Sequence, residues 1–156
     1  MELREVRDVV GDYTGNARAV LEYSLMVKGL LDSAKEPGFS VESWAPLAEL
    51  VEVDEFERVG NFKEVMTWRD YVNFLTPWAI SANWECSFKR LTERPGVVYL
   101  ELEERSRVNG NLRAINSLSV YEFNETGKIR HLDVYLQMPL PGPDMLLRYE
   151  GIKIAN

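Results

Sequence analysis

The sequence predicts an α+β fold, with helices packed on one face of an antiparallel sheet. Three observations carry this reading. Up to about residue 75 the long apolar stretches recur at helical spacing; from Trp84 onward the period changes to two; and Asn109-Gly110 divides the second half with a strong hairpin signal. Helices first and a meander afterwards place the helices together on one side of the strands.

The first helix is predicted over residues 16–31, where Val20, Tyr23, Val27, Leu30 and Leu31 share one stripe. Pro37-Gly38 ends it. A short helix then runs to about Leu50, with Ser43 as its cap and Pro46 in its first turn. Alternation in "LVEVDEFERVG" predicts a short strand. Asn61 followed by Glu64 resembles a capping arrangement, opening a helix with Val65, Trp68, Val72 and Leu75 inward. Thr76-Pro77 ends that helix. Four strands follow, "WECSFKR", "VVYLELEERSRV", "RAINSLSVYEF" and "KIRHLDVYLQM", turned at Pro95-Gly96, Asn109-Gly110 and "NETG". "PLPGP" stops the sheet, and residues 139–156 form an arm of unassigned role.

Length and composition bound the function. A chain of 156 residues suits one domain, and 46% hydrophobic residues suffice for a core. The net charge of −7 argues against a nucleic-acid surface, which needs concentrated Lys and Arg. No apolar run predicts a membrane span or a signal peptide. One cysteine, Cys86, forms no internal disulfide and fits a reducing, cytoplasmic setting. One Cys and one His make no zinc site, and no spacing suggests a carboxylate metal site or a nucleotide cofactor.

A two-residue turn at Asn109-Gly110 fixes a register in which Val108 faces Asn111, Glu104 faces Ile115 and Val98 faces Tyr121. One face then carries Val98, Leu100, Leu102, Glu104, Ser106, Ile115, Ser117, Ser119 and Tyr121, and belongs under the helices. With a four-residue loop at "NETG", Leu132, Val134 and Leu136 join that face; a three-residue loop with a bulge reverses it. The hydrophobic bias favours the trio inward. His131, Asp133, Tyr135 and Gln137 then form an outer row, a solvated or subunit-contacting strip. Leu118 and Val120 share the outer face and predict a homodimer through it.

The element order, together with "F-N-E-x-G-K-I" at Phe123 to Ile129, resembles the nuclear transport factor 2-like superfamily, with its SnoaL-like polyketide cyclases and ketosteroid isomerases. The likeness covers roughly residues 16–138 of a single domain over 1–156. It implies a strongly curved, cone-shaped sheet whose helices enclose a largely apolar pocket. It also implies a small apolar organic ligand and a range of activities: isomerase, cyclase, dehydratase, epoxide hydrolase, or none. Matching on the hairpin puts Ser119 where ketosteroid isomerases carry a protonated, hydrogen-bond-donating aspartate. Limonene epoxide hydrolases use an Arg-x-Asp where this chain has Arg105-Ser106-Arg107, and a further aspartate near Val134. The general base of the isomerases falls near Asp54 or Glu52.

Glu104 is the most informative candidate, a carboxyl in register with Leu100 and Leu102 on the inward face. Burial without a partner raises such a group toward neutrality, where it shuttles protons. Arg113, diagonal to it, would instead neutralise it as a structural pair. Asp54 or Glu52 is the candidate base. Tyr121 and Ser119 are the polarising donors, with Tyr23 and Ser117 beside them in the cavity. Trp68, Leu100, Leu102, Leu132, Val134 and Leu136 are expected to line it. The expected activity is cofactor-independent acid–base chemistry on a small apolar molecule. The alternative is a non-catalytic ligand-binding or assembly protein.

Overall fold

The computed structural model describes residues 2–155. Strand β1 (Arg4–Glu5) leads into helix α1 (Val6–Val9), a 3-10 turn and the long helix α2 (Gly15–Ser33). Helix α2 buries Ala17, Val20, Leu21, Tyr23, Ser24 and Leu31, the apolar stripe expected from the spacing. The short helical segment is a 3-10 turn over Val41–Trp44 that continues as α3 (Ala45–Ala48). Its cap is Ser40 rather than Ser43. Ser43 sits three residues on and its hydroxyl accepts from the Ser40 N–H at 3.0 Å, the reciprocal half of a capping box.

Residues 51–56 are not a strand. Val51 makes one isolated bridge to Ile129, and Val53–Glu55 turn in solvent. The strand begins later, as β2 (Glu57–Val59), and pairs with β3 (Val65–Thr67). Glu64 therefore closes a tight β-turn and not a helix, while Asn61 Oδ1 accepts the Leu136 N–H at 2.9 Å. Glu64 Oε2 accepts the Phe62 N–H at 2.9 Å, and its buried carboxylate lies 3.6 Å from Arg58. Helix α4 (Trp68–Ser81) is capped instead by Thr67 and Asp70, whose side chains exchange hydrogen bonds with each other's backbone N–H. It also runs through Pro77 to Ser81. The Thr76 hydroxyl donates to Val72 O at 2.6 Å and accepts from Trp44 Nε1 at 2.9 Å, tying the proline-containing turn to α3's neighbour.

The long strands are β4 (Ala82–Arg94), β5 (Val97–Val108), β6 (Asn111–Phe123) and β7 (Ile129–Gln137), followed by helix α5 (Pro143–Leu147). The curved sheet has the order β1-β4-β5-β6-β7-β2-β3. Its meander is antiparallel, but β2 joins β7 in parallel, so the sheet is mixed. The β5–β6 register is the expected one at every named pair, from Val108↔Asn111 to Val98↔Tyr121. Asn109 and Gly110 both take positive φ, 52° and 79°, as a tight two-residue hairpin turn requires. On β7, Leu132, Val134 and Leu136 pair with Tyr121, Ser119 and Ser117, so the trio faces inward. The Lys35 ammonium donates to Leu31 O, Ala79 O and Ala82 O. It clamps the last carbonyls of α2 and α4 and so fixes the roof over the sheet.

Candidate active site: a hollow between sheet, helices and arm

The inner face of the sheet, helices α2 and α4, strand β2 and the C-terminal arm enclose a hollow of about 230 Å³. The sheet contributes Leu102, Glu104, Ile115, Ser117, Ser119, Tyr121, Leu132, Val134 and Leu136. Alternation puts them on one side, because each is in phase with a buried neighbour. Helix α2 adds Tyr23 and Ser24; α4 adds Tyr71, Phe74 and Trp78; β4 adds Trp84.

Four expected residues stay outside. Asp54 is exposed in the turn before β2, because the chain reverses there instead of running as a strand. Glu52 is equally absent from the lining, and its Oε2 accepts from Asn124 Nδ2 at 3.2 Å. Leu100 is in phase with Leu102 but lies one pair deeper, 1% exposed in the core. Trp68 packs edge-on against Phe56 at 5.3 Å and is core as well. His131 is on the outer face, with Nε2 2.9 Å from Asp133 Oδ1.

Glu104 is half-buried and lines the hollow. Its Oε1 accepts the indole N–H of Trp84 at 2.9 Å. It has no ion-pair partner among the described residues: Arg113 is exposed and turns to Met145 Sδ at 3.6 Å. Beside it stand buried phenols. Tyr23 and Tyr121 meet edge-on with ring centroids 5.7 Å apart. The buried Tyr23 hydroxyl has no hydrogen-bond partner within the protein. Burial pushes the Tyr23 hydroxyl well above its ordinary value, with the neighbouring Tyr71 and Tyr121 adding to it. Tyr121 moves the same way, again through burial first and then Tyr71 and Glu104. Both therefore remain hydrogen-bond donors at neutral pH.

Two residues that the sequence reading passed over also line the hollow. Arg58 on β2 lies with its guanidinium carbon 4.8 Å from the centre of the Tyr71 ring, and its buried Nε has no partner. Arg58 is in phase with buried Phe56 and Gly60, and that alternation was the available signal. The second is Arg148, just beyond α5, 4.6 Å from the centre of Phe74. The arm returns across β3, where Lys153 O accepts from the Val65 N–H at 2.7 Å and the Ala155 N–H donates to Lys63 O at 2.6 Å. Tyr149 follows Arg148 and packs on both Phe62 and Phe74. The arm is therefore a wall of the hollow. Among the described residues, no three His, Cys, Asp or Glu side chains gather at metal-binding spacing. No described helix is long and apolar enough to cross a membrane.

Helices closing a curved sheet around a hollow lined by polar and apolar side chains define a pocket protein of α+β class. The chain has the nuclear transport factor 2-like fold, as the solved structures similar to it show. An LEH-like epoxide hydrolase of M. tuberculosis is 14% identical, with 78% of this chain and 82% of that one covered at a TM-score of 0.57. An NTF2-like protein of unknown function from Cytophaga hutchinsonii is 16% identical, covering 86% and 96% at a TM-score of 0.53. A protein described as a SnoaL-like polyketide cyclase, from Jannaschia sp., is 9% identical, covering 88% and 94% at a TM-score of 0.57. No protein-family model and no curated protein matches the sequence.

Proposed function

We propose that the hollow performs cofactor-independent acid–base chemistry on a small, largely apolar carbonyl compound. The observation that carries this reading is the pairing of a carboxylate free of any cation with a buried phenol free of any partner, both lining one cavity. Trp84 holds one oxygen of Glu104, leaving Oε2 to take a proton from the carbon next to a carbonyl. The Tyr23 and Tyr121 hydroxyls donate to the carbonyl oxygen as it becomes an enolate oxygen. Ser119, on the same wall, is a further donor. Return of the proton from Glu104 to another carbon completes an isomerisation; its delivery to a leaving hydroxyl completes a dehydration. The neighbours' names include an epoxide hydrolase and a polyketide cyclase, which supports small-molecule chemistry in such a hollow but selects no single reaction.

The test is exchange of α-protons in D2O, followed by NMR with 1-tetralone as probe. Acceleration over buffer, lost by about 10²-fold or more in Glu104→Gln, is the expected result. Binding of the ketone with no acceleration in the wild type would leave the non-catalytic carrier as the reading. The same fold supports self-association. On the outer face Tyr99 pairs with Val120 and Leu118 with Tyr135, an apolar patch for a second copy. Sedimentation as a dimer, lost in Tyr135→Lys, is expected.

A further inference from the structure

The two arginines of the hollow are brought together by one helix. Tyr71 and Phe74 are three residues apart on α4 and so lie side by side on its surface. Arg58 rests on the first ring and Arg148 on the second, one delivered by β2 and the other by the arm. Stacking on a ring holds a guanidinium by its face and leaves its N–H edge free to donate. Among the described residues one carboxylate answers these two cations: Glu64, 3.6 Å from Arg58. Among the described residues Arg148 has no carboxylate within ion-pair distance, although the chain as a whole carries −7. Two guanidiniums on the wall of a hollow in an acidic protein, one of them exposed and without a carboxylate among the described residues, form a local positive centre.

Building on the acid–base reading, we infer that the ligand is an amphipathic organic acid, with its carboxylate held by Arg148 and Arg58 and its apolar body against Leu102, Leu132 and Val134. A planar carboxylate matches the fork of a guanidinium, and the half-buried Arg58 offers it a contact less screened by water than exposed Arg148 does. Anchoring the head at the arm leaves the body to present its reactive carbon to Glu104. The carboxylate so bound is a handle and takes no part in the proton transfer.

The experiment measures binding and not turnover. Trp78 and Trp84 line the hollow, so their fluorescence reports occupancy. The probes are 2-naphthoate and its neutral isostere 2-naphthamide. The expected result is roughly tenfold or tighter binding of the acid, weakening with salt. Arg58→Gln strips buried Glu64 of its cation and risks misfolding. Arg148→Gln, on the exposed arm, therefore carries the test and is expected to lower the acid-to-amide ratio several-fold, Arg58 keeping the remainder. Arg148→Lys should restore part of it. Equal binding of acid and amide by the wild type, an unchanged ratio in Arg148→Gln, or no binding of either probe overturns the inference. Failure of the acid–base reading shows separately: α-proton exchange indifferent to Glu104→Gln removes catalysis while the acid preference still stands.

Discussion

The indole Nε1 of Trp84 reaches Glu104 Oε1 at 2.9 Å along a diagonal of the β4–β5 ladder, since the residue directly opposite Glu104 is Cys86. This contact fixes which carboxylate oxygen faces the hollow. Trp84→Phe keeps the ring in place and removes only the N–H. It is expected to lower the rate of α-proton exchange several-fold with little change in KM, whereas a merely structural indole would leave both alone. Steady-state kinetics of the exchange reaction give the split.

Tyr23 separates stability from function. Its hydroxyl is buried without a partner, which costs on the order of 1–3 kcal/mol. Tyr23→Phe is expected to raise Tm by roughly 2–4 °C for each kcal/mol recovered, and to slow exchange by up to about 10²-fold. Calorimetry beside the exchange assay checks both directions. A drop in Tm would mean that the hydroxyl is satisfied.

The buried phenols set an alkaline limit. Tyr23, Tyr71 and Tyr121 all hold their protons above the ordinary tyrosine value, burial being the first cause in each. In the unfolded chain they titrate near about pH 10. Above that pH the native state keeps protons that the unfolded state has lost, so stability is complete below about pH 10 and falls as pH rises through the folded values. Absorbance at 295 nm should show these tyrosines ionising only as the protein unfolds, and urea midpoints should drop between about pH 9 and about pH 11.

Cys86 should be inert. Burial, then Glu104 and Glu5, push its thiol up to about 12. The native protein is expected to resist iodoacetamide at about pH 8 and to react once denatured, because the thiolate is the nucleophile. Mass spectrometry of the alkylated protein reads this directly.

Gly60 tests the support behind Arg58. A Cβ added there would overlap the Glu64 carboxylate, which is 1% exposed and has nowhere to go. Gly60→Ala is expected to destabilise the fold by about 2 kcal/mol or more. Urea unfolding measures it.

The meander was legible because its turns carry their own instructions. Asn109-Gly110 admits one tight turn, and that turn propagates register along β5 and β6 until Glu104 is placed inward. The β7 trio followed from hydrophobicity alone, and it held even though a bulge near Glu122 shifts the pairing. The first half was less legible for a physical reason. Its segments are short, and a pattern such as "VEVDEF" fits a strand or a turn equally well until a partner strand is known. The choice was made by β7, some seventy residues away, which recruits Glu57–Val59 and leaves Asp54 in solvent. Asn61 and Glu64 have the spacing of a helix cap, but Glu64 closes a β-turn and Asn61 reaches the Leu136 N–H on β7. Leu100 has the expected face but lies deeper than the hollow, since alternation reports side and not distance from the rim; Trp68 opens helix α4 and packs on Phe56 in the core. Arg148 could not be placed at all, because nothing local in "PDMLLRY" indicates that the arm returns to Val65.

The parallel seam between β2 and β7 has a consequence for how the molecule assembles. Strands β4 to β7 are sequence neighbours joined by short turns, whereas residues 57–59 must find residues 131–133 across nearly half the chain. Distant pairings carry the larger loop-closure penalty and form late. A partly assembled molecule thus owns its acid before it owns its cation: Glu104 is set as soon as the hairpin zips, and Arg58 arrives only when the far seam shuts. The seam that delivers Arg58 is therefore among the later contacts to close, together with the still more distant pairings of β1 with β4 and of the arm with Val65.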